Sequence, residues 1–335
     1  MRAAALGGSG VRVSALGFGA AAIAGLYEDV GEDEAAATVE AAWDAGIRYF
    51  DTAPHYGLGL SERRLGAALR TRPRDGLVLS TKVGRVLEPH DGGGDDRANG
   101  FAVPATHRRR WDFSADGVRR SLEDSLSRLG LDRVDLVLLH DPDEHGEQAF
   151  REAYPALEEL RSQGAVRAIG AGMNQSRMLT RFLTDTDVDA VLCAGRYTLL
   201  EQGALESLLP AASAAAGKSV IVGGVFNSGL LADPAPGATY DYAAAPSDLL
   251  DRAVRMRAAT EAHGLPLRAA ALRFPFGHPA VASVLVGARS AAQVVDAVTR
   301  FRGPAPGAVW DDLRAQGLLP GGVPVAVPVL DGSVA

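Results

Sequence analysis

The chain has 335 residues, of which 47% are hydrophobic and 22% charged, an ordinary balance for a packed protein and not for a disordered one. Its 34 basic and 41 acidic residues give a formal net charge of −7, so a nucleic-acid partner receives no electrostatic support. One cysteine, Cys193, excludes an intrachain disulfide framework and fits a reducing, cytoplasmic compartment. No stretch has the length and continuous apolarity of a membrane span. The nearest candidate, Val13 to Tyr27, is short and broken by Gly17, Gly19 and Gly25, which suit a strand and turn better than a signal-peptide core.

In chain order, strand-like runs fall at Ala15–Ala20, Ile47–Asp51, Leu77–Lys82, Asp135–His140, Val166–Ala171, Ala190–Cys193, Ser219–Val222 and Ser283–Val286. Their apolar content is nearly continuous, as expected for parallel strands buried on both faces. Helical patterns lie between them. Asp33–Ala45 has acids in its first turn and stops at Gly46. After Ser114, a candidate N-cap, Val118, Leu122, Leu126 and Leu129 recur at helical spacing, and Gly130 ends the run. Phe150, Tyr154, Leu157 and Leu160 repeat the pattern up to Gly164, and Gln175–Leu183, Ser247–His263 and Ala291–Phe301 continue it. Eight strands with intervening helices predict a (β/α)8 TIM barrel in a single domain over residues 1–335, with a doubly wound open sheet as the rival.

Two segments, about 84–112 and 226–246, exceed ordinary loop length. In a barrel both follow strands, which places them on the C-terminal face where sites are built. A C-terminal tail from about 303 carries a short helical stretch, Val309–Gln316, with Trp310 and Leu313 to dock it.

Polar residues end the second, third and fourth strands: Asp51, Lys82 and His140. Tyr56 follows Asp51 in the turn Ala53-Pro54-His55-Tyr56-Gly57. Each alone has an ordinary reading as a cap, a surface residue or packing. A buried Asp and Lys on neighbouring strand ends, however, are costly unless they pair. The segment from Asp51 to Gly57, Ser61-Glu62, Leu65-Gly66, Ser80-Thr81-Lys82, Arg120-Ser121-Leu122, Leu129-Gly130, Asp135 and His140 together resemble the aldo-keto reductase superfamily. With the long loop before Asp112 and His140-Asp141-Pro142-Asp143, the chain is similar to the branch of L-fucose, D-threo-aldose and pyridoxal dehydrogenases.

The resemblance implies a catalytic tetrad of Asp51, Tyr56, Lys82 and His140, and a nicotinamide cofactor, NAD or NADP, bound without a Rossmann domain. Chemistry agrees: a phenol with a reference pKa of about 10 needs a neighbouring ammonium to act near neutrality, and Asp51 holds that ammonium charged. No zinc-like spacing of Cys and His is present, and no metal is expected. The resemblance also implies that Asn174 holds the nicotinamide carboxamide, with Gln175 a weaker candidate. Asn227, Ser228, Gly229 and Leu230 resemble a pyrophosphate-binding turn. Gly287, Arg289 and Gln293 face the adenosine end, where Arg289 either contacts phosphate or caps its loop. Relatives that select NADPH carry a Lys near Gly287 and an Arg near Gln293; this chain has neither, which favours NAD. Asp296 is placed to reach the adenine or ribose.

Two further departures concern the nicotinamide ring: the usual Gln is replaced near Ala194 and the usual stacking aromatic near Gly223, with Tyr197 a candidate to compensate. Tyr27, His55, Arg85 and Trp111 are placed to line the substrate, while Arg108–Arg110 read as a solvated face. The expected substrate is an aldose oxidised to its lactone. Pyridoxal oxidation, NADPH-dependent carbonyl reduction and a non-catalytic binding subunit are the alternatives. The partners expected are small molecules, with neither nucleic acid nor membrane; the sequence leaves the oligomeric state open.

Overall fold

Runs of β-branched and small apolar residues recur where both faces of a strand are covered, and in the computed structural model all eight expected runs are strands of one closed barrel. The structure describes residues 1–241 and 243–325. Strands β1 (Ala3–Ala5) and β2 (Arg12–Ser14) form an antiparallel hairpin ahead of the barrel. The barrel then takes β3 (Leu16–Gly19), β4 (Tyr49–Asp51) and β5 (Val78–Val83). A second hairpin, β6 (Arg85–Pro89) with β7 (His107–Trp111), stands outside it. Strands β8 (Leu136–His140), β9 (Ala168–Met173), β10 (Ala190–Ala194) and β11 (Ser219–Gly223) continue the barrel. The short pair β12 (Thr239–Tyr240) and β13 (Ala243–Ala244) precedes β14 (Val281–Gly287), which pairs in parallel with β3 and closes the ring.

The helices are α1 (Glu32–Asp44), α2 (Leu60–Leu69), α3 (Ala115–Leu129), the single turn α4 (Gly146–Gln148), α5 (Tyr154–Ser162) and α6 (Ser176–Asp185). Then come α7 (Leu208–Ala214), α8 (Ser247–Ala262), α9 (Leu267–Arg273), α10 (Ala291–Arg302) and α11 (Ala308–Ala315). Ser114 caps α3 by accepting from the Gly117 N–H at 3.0 Å, and Gly130 ends that helix at φ 62°. Ahead of α5, Ala149–Ala153 widens into a π turn. Trp310 and Leu313 are buried, so α11 does dock the tail.

Two apolar layers hold the barrel. Inside it, Tyr49, Leu136, Leu138, Leu192, Ile221 and Leu285 pack with Leu6, Val11 and Val13 of the first hairpin, which plugs the N-terminal end. Around it, strand and helix side chains form the larger core. Gly66 on α2 lies against α3: a Cβ there would collide with the Leu129 carbonyl oxygen, so only glycine lets the helices approach. At the N-terminal ends of β8 and β10, buried Asp135 and Asp189 accept from the Leu79 and Ile169 N–H groups at 2.9 Å. Arg74 and Arg161 pair with these carboxylates. These acids serve strand pairing on the face opposite the site.

The two segments read as long loops contain structure. The first holds β6 and β7, whose cross-strand pairs include Glu88 with Arg108; the second holds β12 and β13. Arg108–Arg110 are also more than a solvated face. Arg109 turns inward, pairing with Asp96 at 2.5 Å and donating to the His55 carbonyl at 2.9 Å, while Arg110 pairs with Glu88 and Asp112.

Candidate active site

Strand ends bring four polar side chains to one mouth of the barrel. Asp51 ends β4, Lys82 lies one residue from the end of β5, and His140 ends β8. Tyr56 sits in a turn fixed by the Tyr56 N–H donating to the Ala53 carbonyl at 3.1 Å. The Lys82 ammonium donates to Asp51 Oδ2 at 2.6 Å, to the Thr52 carbonyl at 3.0 Å and to the Tyr56 hydroxyl oxygen at 3.0 Å. An ammonium has three N–H donors and no acceptor, so all three are committed. Tyr56 therefore accepts from Lys82, and its own O–H is free to donate elsewhere. The second oxygen of Asp51 accepts from Ser80 Oγ at 2.7 Å, and Ser80 Oγ lies 3.1 Å from the Tyr49 hydroxyl.

The Lys82 and Asp51 side chains are 2% and 3% exposed. Burial opposes the Lys82 charge, but Asp51 and the Tyr56 oxygen outweigh it, so the pKa of Lys82 rises above its usual value. Burial raises the Tyr56 pKa, and the downward pull of Lys82 only partly offsets this. The resting group is thus a phenol, not the readily formed phenolate expected from the ammonium alone.

The His140 ring stands edge-on to Tyr56 with centroids 5.7 Å apart, and edge-on to His55 at 5.6 Å. Burial, reinforced by Arg85 and Lys82, depresses the His140 pKa well below the usual imidazole range. Burial and the same cations with Arg109 bring His55 down to about 2. Both rings are neutral near pH 7, and the Nδ1 of each is buried without a hydrogen-bond partner. Asp141, with φ 43°, turns its carboxylate back toward the site, where it pairs with Arg85 and lies 3.6 Å from His140 Nε2. Arg85 in turn lies 4.2 Å from the centroid of the Trp111 ring. No role for Asp141 follows from the sequence pattern, in which its place directly after His140 is the one signal.

These groups open into a cavity of about 820 Å³ whose lining includes Tyr56, Lys82, His140, Trp111, Asp141 and Asn174. Tyr27, His55 and Arg85 line it too, so all four expected substrate residues meet there. A second cavity of about 350 Å³ adjoins it, and Leu26, Tyr27, Asn174 and Ala194 border both. The second cavity is bounded by the turn Asn227-Ser228-Gly229, left-handed at all three residues, and by Gly287, Arg289 and Gln293 at the start of α10. Nothing lies within 4 Å of where a Gly229 Cβ would stand. The Asn227 and Gly229 N–H groups of the turn are spent on the Gly224 and Phe226 carbonyls at 2.9 and 3.1 Å, so the neighbouring helix N-terminus, capped by Ser290, is the feature that suits phosphate oxygens. The paired clefts run from Tyr56 to the start of α10 and together have room for an elongated ligand.

Several expectations need correction. Leu230 is fully buried in the core and does not border the second cavity, because the turn directs it inward. The Asn227 side chain is committed to its own loop: it accepts from Thr198 Oγ1 at 2.7 Å and donates to the Gly195 carbonyl at 3.3 Å. Tyr197 does not reach the nicotinamide region; it is buried against Phe274, 5.2 Å between centroids. Asp296 does border the second cavity, where it is engaged by Arg300 at 2.7 Å and Arg268 at 3.1 Å. Gln175, by contrast, does border the first cavity beside Asn174 and needs no correction.

Among the described residues no helix is long and apolar enough to cross a membrane. The model of the aldo/keto reductase family matches residues 15–314. D-threo-aldose 1-dehydrogenase from Pseudomonas sp is 47% identical over 93% of this chain and 96% of its own. Pyridoxal 4-dehydrogenase from Microbacterium luteolum is 39% identical over 94% and 97%. Among solved structures, the holo form of aldo-keto reductase AKR11C1 from Bacillus halodurans superposes with a TM-score of 0.75 at 28% identity, covering 98% of this chain and 99% of that one. The chain belongs to the aldo/keto reductase family and is an oxidoreductase.

Proposed function

We propose that the protein oxidises the C1 hydroxyl of a cyclic aldose to the lactone, with Tyr56 as the group that exchanges the proton. The observation that carries this reading is the full commitment of Lys82, which leaves the Tyr56 hydroxyl as the proton-transfer group facing the larger cavity. A dinucleotide in its oxidised form, when bound, supplies the hydride acceptor. The deprotonated Tyr56 oxygen takes the C1 hydroxyl proton, and the phenol formed remains hydrogen-bonded to Lys82. In reduction Tyr56 donates the same proton. Neutral His140 donates a hydrogen bond to the reacting oxygen and orients it without adding charge. Because burial raises the Tyr56 pKa, the resting phenol suits reduction, and oxidation gains from alkaline pH.

Trp111, 42% exposed, presents the part of its ring left uncovered by Arg85 and Phe113 beside the carboxylates Asp141, Asp143 and Glu144, a surface suited to the apolar face and hydroxyls of a sugar. The relative named D-threo-aldose 1-dehydrogenase supports that substrate class. The same aromatic face also suits a pyridine ring, and the relative named pyridoxal 4-dehydrogenase supports oxidation of pyridoxal as the second reading. NAD is the favoured dinucleotide because Gln293, not a cation, is the third residue of α10 and both arginines bordering the second cavity are paired. Asn174, which borders both cavities, would hold the carboxamide. A cytoplasmic setting fits the one cysteine, Cys193, a buried thiol pushed up to about 12.

The test is a panel of aldoses, pyridoxal and simple ketones in both directions, read by nicotinamide absorbance, with Tyr56→Phe alongside. We expect aldoses to lead and the variant to lose turnover about 10²- to 10⁴-fold. A panel led by ketones, or a fully active variant, overturns the reading.

A further inference from the structure

The segment after β3 crosses from the substrate side to the dinucleotide side. Its backbone is held by the Tyr27 N–H donating to the Gly100 carbonyl and the Ala102 N–H donating to the Gly25 carbonyl, both at 2.8 Å. Gly25 and Tyr27 both have positive φ, which turns the next residue, Glu28, toward the start of α10. There Glu28 pairs with Arg289 at 2.7 Å. The other arginine bordering the second cavity, Arg268, pairs with Asp296. Each of these two cations therefore already faces a carboxylate. The Arg289 N–H donates to Gln293 Oε1 at 2.9 Å, so the neutral Gln293 is also engaged at this corner.

We propose that Glu28 is a specificity-determining residue that excludes a ribose 2′-phosphate and so favours NAD over NADP. The proposal rests on the dinucleotide reading of the second cavity. A phosphate monoester carries about −1.5 to −2 charges and requires cationic or N–H donors in its place. Arg289 is the cation nearest the α10 turn, and Glu28 cancels it. Bringing a 2′-phosphate to Arg289 would force it against the Glu28 carboxylate or break the pair. A free 2′-hydroxyl meets neither cost, and a carboxylate can accept its hydrogen bond. Selectivity therefore comes from a residue near the N-terminal end of the chain, brought to α10 by the barrel's closure between β14 and β3.

The test uses calorimetric titration of the full chain with 5′-AMP and with adenosine 2′,5′-bisphosphate, for the wild type, Glu28→Gln and Glu28→Gln/Arg289→Ala. Glu28 is mostly exposed, so its substitution leaves the fold intact. The wild type should prefer 5′-AMP. In Glu28→Gln the affinity ratio should move toward the bisphosphate about three- to fivefold, the scale of an exposed charge pair. In the double variant that gain should vanish, since it requires a released Arg289. An unchanged ratio in Glu28→Gln, or a gain that persists without Arg289, overturns the proposal. Failure of the wild type to bind either nucleotide would overturn the dinucleotide reading itself, and the proposal with it.

Discussion

Removing the charge of Lys82 separates its two jobs, holding Asp51 and serving Tyr56. In Lys82→Met the Asp51 carboxylate loses the ammonium 2.6 Å away and stays buried with Ser80 as its remaining side-chain partner. Stripping one member from a buried ion pair costs about 3–5 kcal/mol. At about 2 °C per kcal/mol, this lowers Tm by about 6–10 °C. Asp51→Asn leaves the reverse defect, a buried ammonium without its counter-charge, and should cost a similar amount. The double variant Lys82→Met/Asp51→Asn removes both charges and should recover much of the loss. Its turnover should not recover, because the phenol then faces no ammonium; a loss of about 10²-fold or more in kcat is expected in all three variants. Thermal melts read the first quantity and nicotinamide absorbance the second. Recovery of turnover in the double variant would refute the claim that the Lys82 charge serves Tyr56.

Trp111→Ala removes the exposed ring beside Arg85 and should raise KM for an aldose about tenfold while changing kcat little, as measured by initial rates. His55 and His140 are held neutral in the fold, so the unfolded chain binds more protons below its histidine pKa of about 6.5. Stability is full above that pH and falls as pH drops, by up to about 1.4 kcal/mol per pH unit for each histidine. Denaturant titrations between neutral pH and pH 5 should show this slope, and His55→Gln should flatten it. Gly66→Ala should lower Tm by several degrees, because its Cβ meets the Leu129 carbonyl oxygen; an unchanged melt would show that α2 and α3 can separate freely.

The barrel strands are legible because burial on both faces writes nearly continuous apolar runs, as in Leu136–Leu139. Asp51, Lys82 and His140 stand out because a charged or ionisable residue ends such a run. The β6–β7 hairpin is not legible in the same way. Its outer strand is charged, and its ion pairs join Arg110 to Glu88 across the strands and to nearby Asp112, and Arg109 to Asp96 of the connecting segment. Leu230 shows the limit of motif reading: it follows the turn in sequence, yet its apolar side chain follows the hydrophobic effect into the core. Glu28 carries no local signal at all. Its meaning arises from Arg289, which only the closed ring of strands brings to within 2.7 Å. The raised pKa of Tyr56 is likewise a property of burial, which sequence spacing does not display.

Hydride removal from the anomeric carbon of a sugar, with the proton taken by Tyr56, leaves an isotopic signature. It is tested most directly by incubating the enzyme with NAD and an aldose carrying deuterium at C1, then measuring the mass of the nicotinamide product. The reduced dinucleotide should gain one deuterium as the lactone forms, with the transfer suppressed in Tyr56→Phe. Unlabelled reduced dinucleotide, or full transfer by the phenylalanine variant, would contradict it.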